Sequence, residues 1–254
     1  MAQKTMTAVS GAVISTAQAK IGSASGLFHA PGSGDEVTTP DSSDWDFSSN
    51  SLFSIEFWFY WKNNSTNYMW IVGQSPTASD FWAVVIHPSG SDNIIFGMVT
   101  AGGGWLLNFS ISASITANTW HHVEVNRQAT AGTTSDWNIF FNGTKGTNSL
   151  ALGAYSTSLS NLSGNLEVGG NVLNNFGNVW DGHIDELRIS KGVARHTSNF
   201  TPSTSAFVTD AQTVLLLHFE GTNGSTSFID DSAIAALAPI SRHTSQAINR
   251  ASTY

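Results

Sequence analysis

The segment at residues 53–61 constrains the fold more than any other part of the chain. Its sequence, FSIEFWFYW, places an apolar side chain at every second position. Successive side chains of an extended strand point to opposite faces, so Phe53, Ile55 and Phe57 share one face while Glu56 lies on the other. Strict alternation over this length predicts a long β-strand with one face in a hydrophobic core.

Runs of the same kind recur along the chain, and turn residues separate them. They occupy 68–73, 81–86, 94–99, 105–111, 119–127, 137–142, 165–169, 183–190 and 213–219. The pair Asn142-Gly143 tolerates positive φ at both positions, which is typical of a type I′ hairpin turn. The run at 213–219 is apolar on both faces, which predicts a strand in the core. No segment sustains a helical period, so we expect an all-β protein, a two-sheet antiparallel β-sandwich.

The composition restricts the partners of the protein. The chain has 254 residues, no cysteine and a formal net charge of -8. Without cysteine there are no disulfides or thiolate zinc sites. An acidic chain with few basic residues does not suit a phosphate backbone, so no nucleic-acid partner is expected. Charged residues make up only 11%, and Ser, Thr, Asn and Gly replace them, as in many secreted, cell-surface and virion proteins.

Two further features concern location and assembly. No run approaches the length of a membrane span, so membrane insertion is not expected, and the N-terminal residues lack the apolar run of a signal peptide. This combination indicates a virion part that is made in the host cytoplasm and released by lysis.

We expect residues 1–232 to form the sandwich. Residues 233–254 are rich in Ala and Ser, and we expect this tail to form an assembly contact.

The strand sequences resemble those of a known superfamily. The matching pieces are residues 12–47, FSIEFWFYW (53–61), NTWHHVEVNR (118–127), WNIFFNGT (137–144), WDGHIDELRISKGVARHTSNFTP (180–202) and TVLLLHFEG (213–221). They resemble the laminin-G-like branch of the concanavalin A-like lectin/glucanase superfamily. This resemblance implies a jelly roll of two curved antiparallel sheets. The form ISKGVAR followed by LLLHFEG is similar to modules of tailed-phage virion proteins.

Acidic residues near 181–186 raise the question of a glycoside hydrolase, because glucanases of this superfamily carry a catalytic acidic strand. Asp185 and Glu186 are neighbours on a predicted strand, so we expect them to face opposite ways. Hydrolysis needs two carboxyl groups on the same side of the sugar. The sequence shows no such pair, and we expect no enzymatic activity. For Asp185, the resemblance implies a structural role, in which it accepts backbone hydrogen bonds at a strand junction.

Calcium is the one cofactor that the resemblance suggests, since members of the superfamily often hold a structural calcium near a glycine-rich loop. Calcium prefers six or more oxygen ligands from carboxylates and loop carbonyls. The candidate ligands are Asp35, Asp181 and Asp230. The alternative is that they are ordinary solvated loop carboxylates.

Aromatic residues provide the candidate ligand-binding site. We expect Trp58, Tyr60, Trp82 and Trp105 on a concave sheet face directed away from the core, where aromatic rings can stack on the apolar C–H patches of a sugar. The alternative is packing beneath loops. We expect Trp120 in the core.

These observations predict a non-catalytic virion structural protein, either a head decoration protein or a tail or fibre-tip component, with a capacity to bind glycans. Its expected partners are other virion proteins or copies of itself, together with a cell-surface glycan, and its expected location is the virion surface. Two alternatives remain open. One is a secreted or cell-surface carbohydrate-binding adhesin, and the other is a glycoside hydrolase. The fold alone does not separate them, because it hosts all of these activities.

Overall fold

Two stacked β-sheets form nearly all of the ordered structure. The computed structural model describes residues 2–29, 34–48, 51–62, 67–77, 80–90, 93–100, 104–153, 159–170 and 178–233. The strands are β1 (Thr7–Val9), β2 (Val13–Ser15), β3 (Ser25–Phe28), β4 (Glu36–Thr39), β5 (Phe53–Trp61), β6 (Met69–Thr77), β7 (Asp80–Ile86), β8 (Ile94–Thr100), β9 (Gly104–Ile111), β10 (Trp120–Arg127), β11 (Trp137–Phe141), β12 (Thr144–Lys145), β13 (Ser149–Gly153), β14 (Leu166–Val168), β15 (Asn178–Val179), β16 (Gly182–Lys191) and β17 (Thr213–Leu217). The helices of the described residues are two single 3-10 turns, Ser43–Trp45 and Thr134–Asp136.

The eight-stranded sheet has the order β12-β11-β10-β5-β16-β3-β2, and β17 pairs with β16 beside β3. β5 is the centre of this sheet, with β10 on one side and β16 on the other. The nine-stranded sheet has the order β1-β4-β14-β6-β7-β8-β9-β13. Among the described strands only β15 pairs in parallel, with β6. The predicted two-sheet antiparallel sandwich is confirmed.

The core lies between the two sheets and is rich in aromatic rings. Alternate residues of β5, beginning with Phe53, point into it and are fully buried, as the alternation predicts. Phe53 packs edge-to-face against Trp137 at 5.9 Å between ring centroids, a favourable aromatic geometry. The strand β17 is buried along its whole length, in agreement with its apolar sequence.

A β-bulge interrupts β16 where it crosses the middle of β5. Asp185 pairs with Trp58 and Arg188 pairs with Glu56, so two residues of β16 lie opposite a single residue of β5. Glu186 has a φ of 52°, which is uncommon for a residue with a side chain. The bulge shifts the alternation of side chains along this strand.

The predicted hairpin turn is present. Asn142 and Gly143 have φ values of 49° and 77°, and they connect β11 to β12. Residues 234–254, most of the predicted assembly tail, lie outside the described residues. The end of the described chain joins the sandwich through a bridge between Thr5 and Ile229. In the part of the chain that the structure describes, there is no helix with the length and apolar character to span a membrane.

Candidate functional site

The outer face of the eight-stranded sheet combines aromatic, charged and amide side chains in an ordered pattern. On β5 the residues that point away from the core are Ser54, Glu56, Trp58 and Tyr60. Each has a partner on both neighbouring strands. The rows across the three strands β10, β5 and β16 are Trp120–Tyr60–His183, His122–Trp58–Asp185, Glu124–Glu56–Arg188 and Asn126–Ser54–Ser190. One end of this face is therefore aromatic, and the other is polar and charged.

The aromatic end is partly open to solvent. The rings of Tyr60 and Trp120 lie 5.5 Å apart between centroids, and both are half-buried. His183 packs edge-on against Tyr60 at 5.7 Å, and its Nδ1 lies 2.9 Å from the hydroxyl of Ser25. Burial, with smaller contributions from the nearby Lys62 and His29, lowers the pKa of His183 to about 4. At neutral pH this end of the face therefore carries a neutral imidazole beside two aromatic rings.

Trp58 lies on the predicted outer face but is covered. The ammonium of Lys20 lies 4.1 Å from the centre of its ring, a cation–π contact. Phe207 and Leu216 complete the cover and leave the side chain only 6% exposed. Trp58 therefore anchors the segments that cross the sheet, while Tyr60 remains accessible.

Glu56 organises the charged end of the face. Its carboxylate is buried and accepts hydrogen bonds from Arg188, with distances of 2.9 Å from Nε and 2.7 Å from Nη2. The Nε of Arg195 lies 3.4 Å away. Burial acts to raise the pKa of Glu56, but His122 and the charge of Arg188 outweigh it and hold the pKa below its usual value. Glu56 is therefore a fixed negative charge inside a hydrogen-bonded network.

Residues 192–210 cross this charged end as an irregular segment, which we call the arch. Its base is closed by Arg195, which donates to both carboxylate oxygens of Asp210 at 3.0 and 2.9 Å. At its far end the backbone N–H of Phe200 donates to the carbonyl of Gly143 in the β11–β12 turn. The returning half is fixed by Phe207, whose N–H donates to Glu186 at 2.6 Å. The arch is thus attached to the sheet at several points.

Between the arch and the sheet is a pocket of about 290 Å³, which we call the well. Its lining residues are Glu56, His122, Arg188, His196, Phe200, Thr201, Ser203, Ala206, Phe207 and Val208. His122 is fully buried, and neither of its ring nitrogens has a hydrogen-bond partner. Buried polar groups without partners are uncommon in folded proteins and mark positions where a water or a ligand can bind.

Because of the bulge in β16, the orientation of two acidic residues differs from the expected one. Asp185 and Glu186 both lie on the outer face, whereas strict alternation predicts opposite faces. Asp185 accepts hydrogen bonds from the backbone N–H groups of Lys20 and Ile21 at 2.8 and 3.0 Å, the structural role that the resemblance implies. Glu186 is bonded to Phe207 and to the ring of His218. Both carboxylates therefore hold chain segments against the sheet, and Oδ1 of Asp185 is buried without a hydrogen-bond partner.

Trp82 and Trp105, the other two residues of the predicted aromatic site, belong to strands of the nine-stranded sheet and not to this face. Trp82 lies in the core between the sheets, where its indole N–H donates to Gln74 at 3.2 Å, so its expected place on an outer face is wrong. Trp105 lies on β9 opposite Val99, and its side chain is outside the described residues. Trp120 was expected in the core, but it packs beside Tyr60 on the outer face.

The three carboxylates predicted as calcium ligands do not converge. Asp35 accepts from the N–H groups of Gly11 and His29, at 2.7 and 3.1 Å. Asp230 accepts from the N–H groups of Lys4, Leu216 and Ser232. Asp181 is buried, and one of its carboxylate oxygens has no partner.

Donors rather than ligand oxygens therefore surround two of these groups, which does not suit a shared calcium site. The described residues hold no group of three or more His, Asp or Glu side chains placed to bind one metal ion. Calcium binding by this chain stays a prediction.

A second cluster, which the sequence analysis missed, lies on the outer face of the nine-stranded sheet. Glu167 on β14 is directly opposite Thr38 on β4, so Glu36 is its diagonal neighbour on the same face. Both glutamates are at most 6% exposed, and each has a carboxylate oxygen without a hydrogen-bond partner. Burial raises the pKa of Glu36 to about 7, and burial together with Glu36 raises that of Glu167 to about 8. The chain therefore has a same-face carboxylate pair that strand alternation in 53–61 and 181–186 did not reveal.

Comparisons with known proteins agree with the fold. A family profile of the concanavalin A-like lectin/glucanases superfamily matches residues 31–198, more than half of the chain. The protein belongs to this superfamily. No curated protein matches the sequence.

Solved structures share the jelly-roll fold at low sequence identity. The binding domain of Paraclostridial Mosquitocidal Protein 1 is 14% identical over 76% of this chain, with a TM-score of 0.51. Botulinum neurotoxin type C depends on two ganglioside molecules for cell entry. Its structure is 16% identical over 78% of this chain, also with a TM-score of 0.51. The matches cover 45% and 44% of those chains, so this chain spans less than half of either.

Domain 4 of AbnA, an extracellular arabinanase from Geobacillus stearothermophilus, was solved in complex with arabinotriose. It is 19% identical to this chain, with a TM-score of 0.49, over 74% of this chain and 82% of the domain.

Proposed function

We propose that the protein is a non-catalytic carbohydrate-binding module that recognises a cell-surface glycan on the outer face of the eight-stranded sheet. The observation that carries this proposal is the half-exposed aromatic pair of Tyr60 and Trp120, with the neutral imidazole of His183 beside it. Ganglioside recognition by a neurotoxin with this fold supports a glycan as the class of ligand.

The chemistry of the pair fits a sugar ring. A pyranose presents apolar C–H patches that stack on aromatic rings, and hydroxyl groups that need nearby polar partners. Aromatic contacts also supply a large part of the binding energy at recognition surfaces, with a small loss of conformational entropy. The two carboxylates of the β16 bulge support a binding role over catalysis, because Asp185 and Glu186 are buried and hydrogen-bonded to the backbone of segments that cross the sheet. A general acid or base needs a carboxyl group that is free to reach its substrate.

The test is a glycan array followed by calorimetry with the best ligand. Trp120→Ala and Tyr60→Ala should each weaken binding about tenfold or more, the loss expected when an aromatic contact is truncated. Tyr68→Ala is the matched control, because Tyr68 is also an exposed tyrosine, with 41% of its surface accessible, stacked on His87. Equal affinity of all three folded variants would contradict the proposed surface. A wild-type protein that binds no glycan would contradict the proposed function.

We further propose that the protein is displayed on the surface of a virus particle, as a head decoration or tail component that associates with other virion proteins or with copies of itself. Two features support this: the similarity of the ISKGVAR and LLLHFEG segments to phage virion modules, and a surface rich in hydroxyl and amide groups. Immunogold labelling of purified particles is the test. Label on the cell envelope alone would favour the alternative, a secreted or cell-surface adhesin.

A further inference from the structure

We infer that the well beneath the arch binds a single neutral sugar ring, so that the glycan is recognised by its terminal residue. This inference rests on the proposed function and deepens it, because it assigns a second, more selective contact on the same face of the sheet.

The floor contains the imidazole of His122, to which no protein group is hydrogen-bonded, beside the carboxylate of Glu56. Nε2 of His122 lies 3.8 Å from Oε2 of Glu56, which is too long for a direct hydrogen bond. Neither ring nitrogen of His122 has a partner. A sugar hydroxyl placed between the two residues can donate to the carboxylate and accept from the imidazole. Such a hydroxyl satisfies a buried polar group that otherwise lacks a partner, which is an unfavourable state.

The walls of the well are aromatic. Phe200 and Phe207 both stand edge-on to the ring of His122, with centroid distances of 5.7 and 6.2 Å. The ring of His196 stacks on Phe200 at 3.5 Å, which fixes that wall. Aromatic walls around a polar floor suit a pyranose, which combines C–H faces with hydroxyl edges.

The charges of the well favour a neutral ligand over an anion. All three donor nitrogens of Arg188 are in use, two by Glu56 and one by the carbonyl of Val208 at 3.0 Å. Arg195 is paired with Asp210. Both guanidinium charges are balanced by carboxylates, Arg188 by Glu56 and Arg195 by Asp210, so the well holds no uncompensated cation for a carboxylate or phosphate group. A neutral hexose therefore fits the well better than a sialic acid or a phosphosugar.

The size and shape of the well indicate one ring at the end of a chain. Its volume of about 290 Å³ lies at the small end of ligand pockets. The sheet residues Glu56, His122 and Arg188 line one side of the well, and arch residues between His196 and Val208 line the other. A space of this volume between sheet and arch has room for about one sugar ring, and the terminal residue of a glycan can enter it without threading the rest of the chain beneath the arch.

The inference is tested with the wild-type protein first, because this measurement needs no variant. The probes are the methyl glycosides of glucose, galactose, mannose, N-acetylglucosamine and rhamnose. Titration of at least one should shift the imidazole nitrogen resonances of His122. Removal of the terminal residue from the array-selected glycan with an exoglycosidase should abolish its binding. An unmoved His122 signal at saturating glycan would overturn the inference.

A variant provides the second measurement. His122→Phe keeps an aromatic ring at this position, although a larger one, and removes both nitrogens, and it should reduce affinity about tenfold, the order expected for losing a buried hydrogen-bonded partner. His122→Gln, which restores a polar group, should recover part of that loss, whereas a merely structural role would not predict recovery. If Trp120→Ala lowers affinity and His122→Phe does not, the proposed function stands and the well is not the sugar site. If no glycan binds the wild-type protein, both proposals fail.

Discussion

Glu167→Gln should make the protein less sensitive to pH. Glu167 and its diagonal neighbour Glu36 are both buried on the outer face of the nine-stranded sheet, and each has a carboxylate oxygen without a partner. Burial, with the nearby Glu36 as the smaller cause, raises the pKa of Glu167 from 4.5 to about 8 in the folded protein. A glutamine at this position has nearly the same shape and cannot ionise.

The direction of the effect follows from proton binding. Above pH 4.5 the unfolded chain releases the proton of Glu167, while the folded protein keeps it until about pH 8. The folded state therefore binds more protons in this window, and the free energy of unfolding falls as pH rises. The slope is at most about 1.4 kcal/mol per pH unit for one proton. Between pH 5 and pH 7 the loss due to Glu167 is thus about 2–3 kcal/mol.

Urea unfolding at pH 5, 6 and 7, followed by tryptophan fluorescence, measures this loss directly. Glu167→Gln should reduce the decline between pH 5 and pH 7 by about 2 kcal/mol. Glu220→Gln is the control, because it makes the same substitution at an exposed glutamate, and the decline that Glu167 causes between pH 5 and pH 7 should persist in it. If the profiles of Glu167→Gln and the wild type run parallel, the buried pair does not bind the extra proton and the reasoning is refuted.

Two further predictions concern stability. Asp185→Ala should lower the free energy of unfolding by about 1–3 kcal/mol, because it leaves the partly buried N–H groups of Lys20 and Ile21 without an acceptor, and thermal unfolding measures the loss. Gly143→Ala should destabilise by about 1–3 kcal/mol in the same assay, since φ is +77° and an added Cβ would lie 2.0 Å from the carbonyl oxygen of Phe200. A midpoint within error of the wild type for either variant would contradict its assigned role.

The sequence predicted the long strands well because their alternation is regular. The predicted run 53–61 coincides with β5, and most other long runs end within a few residues of the observed strands. The first four strands have only three or four residues each, too few to establish a period. They were therefore not predicted.

The candidate site was harder to predict. Alternation along a strand does not show which face a side chain takes where both faces are apolar or where a bulge intervenes. In β7 both faces are apolar, since Trp82 points into the core and Phe81 points outward, so the sequence could not decide which face each residue takes. The bulge at Glu186 could not be read from local sequence either. The pairing of β4 with β14 brings Glu36 beside Glu167, two residues that are far apart in the chain. Such contacts depend on topology, which alternation does not encode.

The central position of β16 has a consequence for how the chain reaches this structure during synthesis. β5 pairs with β10 on one edge, but its other edge is filled by β16, which leaves the ribosome more than a hundred residues later. β3 also pairs with β16, so the β2–β3 hairpin cannot join the sheet until then. A nascent chain that ends before Gly182 therefore exposes a long, apolar strand edge, the kind of surface that promotes aggregation. Completion of the sheet, the arch and the well must await the last quarter of the chain, and a chaperone that shields β5 in the meantime would raise the yield of folded protein.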